Sequence, residues 1–129
     1  MSDIPETLQY TKDHEWAKVD GKRVTVGITR FAVEQLGDIT LVNIDAKVGD
    51  AVTNGKAFGT IESVKTLSDL FSPIDGKIVE INKELDGKPE LVNEDCYGKA
   101  WMVVIEASGD VKGLLDAKAY AEHVKASEH

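Results

Sequence analysis

The chain has little of what several common protein classes need. Its one cysteine, Cys96, excludes an internal disulfide, and no cysteine or histidine stands at metal-ligand spacing from it. No apolar run approaches the roughly 20 residues of a membrane-spanning helix. We therefore expect a reduced compartment, no metal and no membrane association, and we assign Cys96 no role.

Positive charge is also scarce, since 15 lysines and arginines stand against 23 acids and leave a formal net charge of −8. Phosphate binding depends on clustered cations, and here they are scattered. The composition therefore argues against nucleic acid. A partner that meets this protein electrostatically should present basic surface.

Catalytic patterns are missing as well. The chain shows no nucleophile–base pair, no phosphate-cradling glycine loop and no metal-ligand cluster. The first nine residues carry acids and no cationic segment before an apolar stretch, so no targeting signal is expected. We predict a cytoplasmic protein that is not itself an enzyme.

What the sequence does contain is a series of short strands separated by turn residues, in a length suited to one domain. Residues 23–28 alternate apolar and polar side chains after the hairpin signal Asp20-Gly21. Further strands are expected at 15–19, 39–44, 56–61, 77–82 and 101–106. The last of these is apolar on both faces and should be central.

Two helices are expected. Thr29 suits the N-cap of a short helix that ends at Leu36, and Gly37 suits its left-handed C-terminal cap. A second helix should run from about Asp116 to Lys125. Its apolar stripe comprises Leu115, Ala119, Tyr120 and Val124.

Two similar turn-and-strand segments, 48–52 and 72–78, lie on either side of Lys65. Two similar half-sheets with a hairpin between them would put Lys65 near the hairpin tip. A lysine at such a tip offers a reachable amine on a long stem.

Residues 61–73 resemble the lipoylation segment of the glycine cleavage system H protein family. They read Ile61-Glu62-Ser63-Val64-Lys65-Thr66-Leu67-Ser68-Asp69-Leu70-Phe71-Ser72-Pro73. The resemblance extends over most of the chain, from about Leu8 to the final helix. It also rests on Tyr10–Trp16, Val26–Thr29, Ala32, Leu36–Asp38, Gly76, Asn82, Pro89, Leu91–Asn93, Tyr97–Gly98 and Trp101.

The resemblance implies a mainly β fold with two or more short helices. It is the barrel-sandwich hybrid of lipoyl and biotinyl carriers, with two small antiparallel sheets, the lysine at a hairpin tip and a C-terminal helix. Residues 1–129 would form one carrier domain, with a core of about 8–108 and a C-terminal helical segment of about 110–126.

It also implies a function. Lys65 would carry a covalently attached lipoyl group, recognised through the flanking Glu62, Ser63 and Val64. The protein would take an aminomethyl group from the pyridoxal-phosphate glycine decarboxylase to the tetrahydrofolate-dependent aminomethyltransferase. It would pass electrons to dihydrolipoamide dehydrogenase, and a lipoyl-attaching enzyme would be a fourth partner.

In this family the loaded arm folds back into a cleft on the body of the protein. Matching the motifs carries Glu15 and Asp69 over as acceptors for the cationic amine of the cargo, a pairing that partial burial strengthens. Asp13 is a weaker third candidate. Glu15 and Asp69 taken singly would each be read as solvated surface carboxylates.

Other carriers fit less well. Biotin carriers place their lysine between two methionines, and lipoyl domains of 2-oxoacid dehydrogenases typically have an aspartate before it, whereas Val64 and Thr66 flank Lys65. The chain departs from the H protein pattern at 44–47, Leu67, Cys96 and 99–100. A lipoyl or octanoyl relay protein, a specialised H-like paralogue and an unmodified β-rich interaction domain therefore stay open as alternatives.

Overall fold

The computed structural model describes residues 4–109, 111 and 113–127 of the chain. Nine strands in this part form two antiparallel sheets. In chain order they are β1 Gln9–Tyr10, β2 Glu15–Asp20, β3 Arg23–Ile28, β4 Ile39–Ile44, β5 Ala51–Val52, β6 Ala57–Ser63, β7 Leu67–Phe71, β8 Gly76–Ile81 and β9 Val103–Ala107. Four helices accompany them: α1 Arg30–Leu36, α2 Glu84–Gly87, α3 Leu91–Glu94 and α4 Ala117–Ser127.

The larger sheet has six strands in the order β1-β2-β3-β9-β8-β5. Strand β9 lies between β3 and β8, and Val103, Val104 and Ile105 are all buried. A strand covered on both faces needs apolar side chains at successive positions, which explains its sequence. The prediction of a central strand at this point is confirmed.

The smaller sheet has the order β4-β6-β7, and its last two strands form a hairpin around residues 64–66. Val42 and Ile61 are buried on its inner face, whereas Leu41 and Glu62 are exposed on its outer face. Strand β5 pairs with β8, so the two similar segments on either side of the hairpin pair with each other.

Helix α1 has seven residues, and an isolated helix of this length is only marginally stable. Its stability therefore depends on the hydrogen bonds at its two ends and on the burial of its apolar side chains. Thr29 Oγ1 accepts a hydrogen bond from the Ala32 N–H at 3.3 Å. At the other end the Gly37 N–H donates to Val33 O at 2.9 Å. Both predicted cap residues therefore cap the helix, but Gly37 has φ = 84° and ψ = −148°, which is not the left-handed helical conformation that was predicted.

The main core lies between the two sheets, and a second cluster joins α4 to β1 and β2. In that cluster the rings of Tyr10 and Tyr120 stack with centroids 4.6 Å apart. Burying a side chain such as Val124 contributes about 1.5–3 kcal/mol. Trp16 packs over Gly27, where a Cβ would come within 2.6 Å of the indole.

The predicted fold class is confirmed, with a mainly β chain, two antiparallel sheets and a C-terminal helix. Strand β5 lies within the predicted turn-and-strand segment 48–52, whereas β1, β7, α2 and α3 were not predicted from the sequence. Of the predicted domain 1–129, residues 1–3, 110, 112, 128 and 129 lie outside the described residues. Within the described part, no helix has both the length and the apolar character needed to cross a bilayer.

Candidate functional site

The turn between β6 and β7 presents Lys65 to solvent on a fixed backbone. The Ser63 N–H donates to Thr66 O at 2.8 Å and closes the turn. The buried hydroxyl of Ser63 accepts from the backbone N–H groups of Lys65 and Thr66, each at 3.2 Å. A short hydroxyl side chain before the lysine thus holds the turn while the lysine side chain remains exposed.

The tip rests on the connection between α1 and β4. The Val64 N–H donates to Asp38 O at 3.0 Å. Asn93 braces this connection, since its Nδ2 donates to Gly37 O and its Oδ1 accepts from the Ile39 N–H, both at 2.9 Å. The hairpin tip therefore has a defined position against the body.

The stem of Lys65 lies across Gly37. Gly37 has φ = 84°, and a Cβ at this position would stand 3.4 Å from Lys65 Cε and 3.8 Å from Nζ. A positive φ of this kind favours glycine. A Cβ would make only an ordinary van der Waals contact with the stem, so the backbone conformation is what favours glycine here.

A groove of about 360 Å³ lies between α1, the β6–β7 hairpin and the segment before β2. Its lining residues are Asp13, His14, Glu15, Ile28, Phe31, Ala32, Gln35, Leu36, Ile61, Ser68, Asp69 and Leu70. Helix α1 contributes one face, from Phe31 to Leu36. With a rise of 1.5 Å per residue, the path from Gly37 to Phe31 is about 9 Å. The groove therefore begins near the Lys65 stem and follows the helix.

Glu15 forms part of the groove wall and is only 2% exposed. Its Oε1 accepts from the Thr11 hydroxyl at 2.7 Å, and its Oε2 accepts from the Phe71 N–H at 3.4 Å. The pKa of this carboxyl is raised to about 7: burial is the largest cause and the charge of Asp13 adds to it, while the hydrogen bonds from Thr11 and Phe71 lower the pKa. A carboxyl in this state binds or releases a proton near neutral pH.

The other predicted residues divide between the groove and the sheet surface. Asp13 and Asp69 both line the groove and are exposed. Glu62 is exposed on the outer face of the small sheet, opposite Leu67. The structure thus brings Asp13, Glu15 and Asp69 to one groove, and the groove residue Leu36 is next to Gly37, against which the Lys65 stem lies.

The part of α1 in the groove was not predicted from the sequence, and α4 does not line the groove but contacts residues at its edge. His14 has φ = 70°, and its Nδ1 shares a hydrogen bond with the Tyr120 hydroxyl at 2.8 Å. That hydroxyl also lies 2.7 Å from Thr29 Oγ1, the N-cap of α1. Burial, together with nearby His123, lowers the pKa of His14. In the sequence, only the apolar stripe that includes Tyr120 indicated that α4 packs against the rest of the protein near His14 and Thr29.

Comparisons of the sequence and the fold with known proteins identify the family of this chain. The sequence model of the family described as glycine cleavage H-protein matches residues 8–127. The chain belongs to the glycine cleavage H-protein family. Among its relatives, the glycine cleavage system H protein of Halalkalibacterium halodurans is 49% identical, covering 96% of this chain and 98% of that one. The protein of the same name from Marinobacter nauticus is 48% identical, covering 99% and 100%.

A solved structure of a glycine cleavage system H protein from Mycobacterium marinum superposes with a TM-score of 0.85. It is 37% identical, with 98% of this chain and 100% of that chain covered. Family membership makes the chain a carrier subunit of the glycine cleavage system and not a catalyst. Among the described residues no group of three or more His, Cys, Asp or Glu side chains could hold a metal ion.

Proposed function

We propose that the protein is the lipoyl carrier of the glycine cleavage system and that the lipoyl group is joined to Nζ of Lys65. The observation that carries this proposal is an exposed lysine whose stem lies at the mouth of a groove with a buried carboxyl in its wall. We further propose that residues 1–129 work as one carrier domain in the cytoplasm.

The residues present fit such a group. An alkyl chain requires apolar walls, and Leu36, Ile61 and Leu70 supply them along the groove. A lipoyl amide would supply a cyclic disulfide that takes up an aminomethyl group with two electrons and is later reoxidised. The lysine stem lies against Gly37, one residue from the groove residue Leu36.

Glu15, with Asp69 and the weaker candidate Asp13, would hold the cationic amine of the cargo. A carboxylate inside the groove wall attracts a cation more strongly than a carboxylate in water. The Thr11 hydroxyl and the Phe71 N–H already fix the orientation of Glu15. Docking of the amine favours the ionised carboxyl, so the neutral acid gives up its proton as the cargo enters. The groove also keeps water away from the cargo.

The proposed partners are the pyridoxal-phosphate glycine decarboxylase, the tetrahydrofolate-dependent aminomethyltransferase, dihydrolipoamide dehydrogenase and a lipoyl-attaching enzyme. The carrier would bring its cargo to these enzymes by diffusion and docking. Its net charge of −8 favours partners with basic surfaces.

Glycine–bicarbonate exchange tests the proposal. Fully lipoylated protein mixed with glycine decarboxylase should support exchange, and a Lys65→Arg variant should reduce it to the rate without carrier, because arginine does not accept the acyl group. Lipoylated protein that supports no exchange would favour the relay or paralogue alternative.

A further inference from the structure

Two walls of the groove meet at the end that is far from Lys65. Glu15 accepts a hydrogen bond from the N–H of Phe71, the last residue of β7. The rings of His14 and Phe31 have centroids 4.7 Å apart. One wall is therefore the segment that carries His14 and Glu15, and the other is the first turn of α1. The cationic end of the proposed cargo has to be held here, because Glu15 is its buried acceptor.

The hydroxyl of Tyr120 joins both walls to α4. It lies 2.8 Å from Nδ1 of His14 and 2.7 Å from Oγ1 of Thr29, the N-cap of α1. Thr29 is fully buried, and its Oγ1 also accepts from the Ala32 N–H at 3.3 Å. Burial raises the pKa of the Tyr120 hydroxyl, so it keeps its proton at neutral pH. It can therefore donate one of its two bonds and accept the other, whichever ring nitrogen of His14 carries the proton.

His14 has a backbone conformation that requires support. Its φ of 70° is uncommon for a residue with a side chain, and such a conformation persists only where the surrounding structure holds it. The His14 N–H donates to Thr11 O at 3.2 Å, and the Thr29 N–H donates to His14 O at 3.0 Å. Glu15 is the next residue and is almost fully buried. A shift of His14 therefore shifts the carboxyl in the groove wall.

Packing alone does not explain a tyrosine at position 120. Its ring is fully buried and stacks on the ring of Tyr10 with centroids 4.6 Å apart, which a phenylalanine ring would do equally well. A buried hydroxyl costs free energy unless it forms hydrogen bonds. Tyr10 provides a comparison within the same pair of rings, because its hydroxyl donates to Pro5 O at 2.5 Å and Pro5 does not line the groove.

The two bonds of the Tyr120 hydroxyl therefore have a role beyond packing. We propose that Tyr120 is a positioning residue for the cargo: its hydroxyl holds the His14 segment against the N-cap of α1 and so keeps Glu15 in place in the groove wall. The inference rests on the proposed function. Tyr120 does not line the groove and acts only through His14 and Thr29. The C-terminal helix thus helps to hold a cargo that it does not touch.

Tyr120→Phe and Tyr10→Phe are matched variants, because each removes one hydroxyl from the same pair of stacked rings and leaves the ring in place. In unloaded protein, amide hydrogen exchange followed by NMR reports on the contact itself. The Thr29 amide, which bonds to His14 O, should exchange about 3- to 10-fold faster in Tyr120→Phe and at the wild-type rate in Tyr10→Phe. The ring nitrogen signals of His14 should shift in Tyr120→Phe alone.

The loaded protein reports on the cargo. After loading by glycine decarboxylase and removal of that enzyme, water converts the S-aminomethyl group into free thiol, formaldehyde and ammonia, and intact mass follows the loss. Loss should be about 3- to 10-fold faster in Tyr120→Phe and unchanged in Tyr10→Phe. His14→Asn keeps a residue that tolerates a positive φ and should have a similar effect. Adding Tyr120→Phe to His14→Asn should then change the rate less than twofold.

Equal rates in Tyr120→Phe and Tyr10→Phe, for the Thr29 amide or for the cargo, would overturn the proposal, and so would additive effects of His14→Asn and Tyr120→Phe. Thermal unfolding checks that the variants are folded. If Tyr120→Phe did not fold, a wild-type cargo lifetime in His14→Asn would still contradict the proposal. Wild-type protein that takes up no aminomethyl group would contradict the proposed function instead, and the Thr29 amide would still test the contact.

Discussion

Glu15 is a carboxyl group that folding removes almost entirely from water. Its pKa rises from 4.5 to about 7, chiefly through burial. Between these two pH values the folded protein binds more protons than the unfolded chain, so the free energy of unfolding falls as the pH rises through this range. Above pH 7 both states are ionised at this position, and the full cost of the buried charge is present.

Glu15→Gln keeps a hydrogen-bonding side chain of the same size but carries no charge. The variant should therefore gain stability relative to wild type as the pH rises from 5 to 8, by up to about 3 kcal/mol. Urea unfolding at a series of pH values measures this difference. Asp13→Asn should move the upper end of the range to lower pH, because Asp13 raises the pKa of Glu15. A stability difference that does not vary with pH would contradict this interpretation.

At the residue scale, local motifs predicted Lys65 and its neighbours but not the surroundings of Glu15. Ser63 is two residues before Lys65 and accepts a hydrogen bond from its backbone N–H, so this contact lies within the sequence motif. The hydrogen bond to Glu15 from Phe71 joins residues 56 positions apart. The contact between Gly37 and the Lys65 stem also depends on the completed fold.

Helix α3 supports the hairpin tip through one side chain. Asn93 holds Gly37 and Ile39 together, and the same connection accepts the hydrogen bond from Val64. Asn93→Ala removes both side-chain bonds and should free this connection locally without opening the core. We expect the amides of Ile39 and Val64 to exchange with solvent about tenfold faster, as the loss of about 1.4 kcal/mol predicts.

Hydrogen exchange followed by NMR measures these amides singly. Asn43→Ala is the matched control, because the exposed Asn43 side chain donates to its near neighbour Asp45 and, among the residues that the structure describes, to no part of the hairpin tip. The amide of Ile61, in the middle of β6, should keep its rate in both variants. If Ile39 and Val64 exchanged no faster in Asn93→Ala than in Asn43→Ala, the bracing role would be wrong.

The elements predicted from the sequence are those with a clear local pattern. Strand β3 alternates over six residues, and α1 has a cap residue at each end. Strand β1 has two residues, too few for any period. Strand β5 is equally short and was indicated only as the end of the turn-and-strand segment 48–52, since it pairs with a strand that begins 24 residues after it ends. Strand β7 was missed because it lies at the edge of its sheet with Leu67, Ser68 and Asp69 exposed, which removes the alternation. Helices α2 and α3 have four residues each, about one turn.

For the whole molecule, the two sheets serve to place one flexible side chain. They fix the hairpin tip, seat the lysine stem on Gly37 and form a groove that leads along α1 toward Glu15. The fold class and the family followed from the sequence because the motifs extend along most of the chain. The groove depends on contacts between distant segments, and the sequence could only suggest it by resemblance.

The central claim is that Lys65 carries the lipoyl group, and intact mass of protein purified from its native host tests it most directly. We expect a mass increase of one lipoyl group, located by peptide fragmentation to Lys65, and no increase in a Lys65→Arg variant expressed in the same host. A wild-type protein from that host with an unmodified Lys65, or with the group on another lysine, would contradict the account.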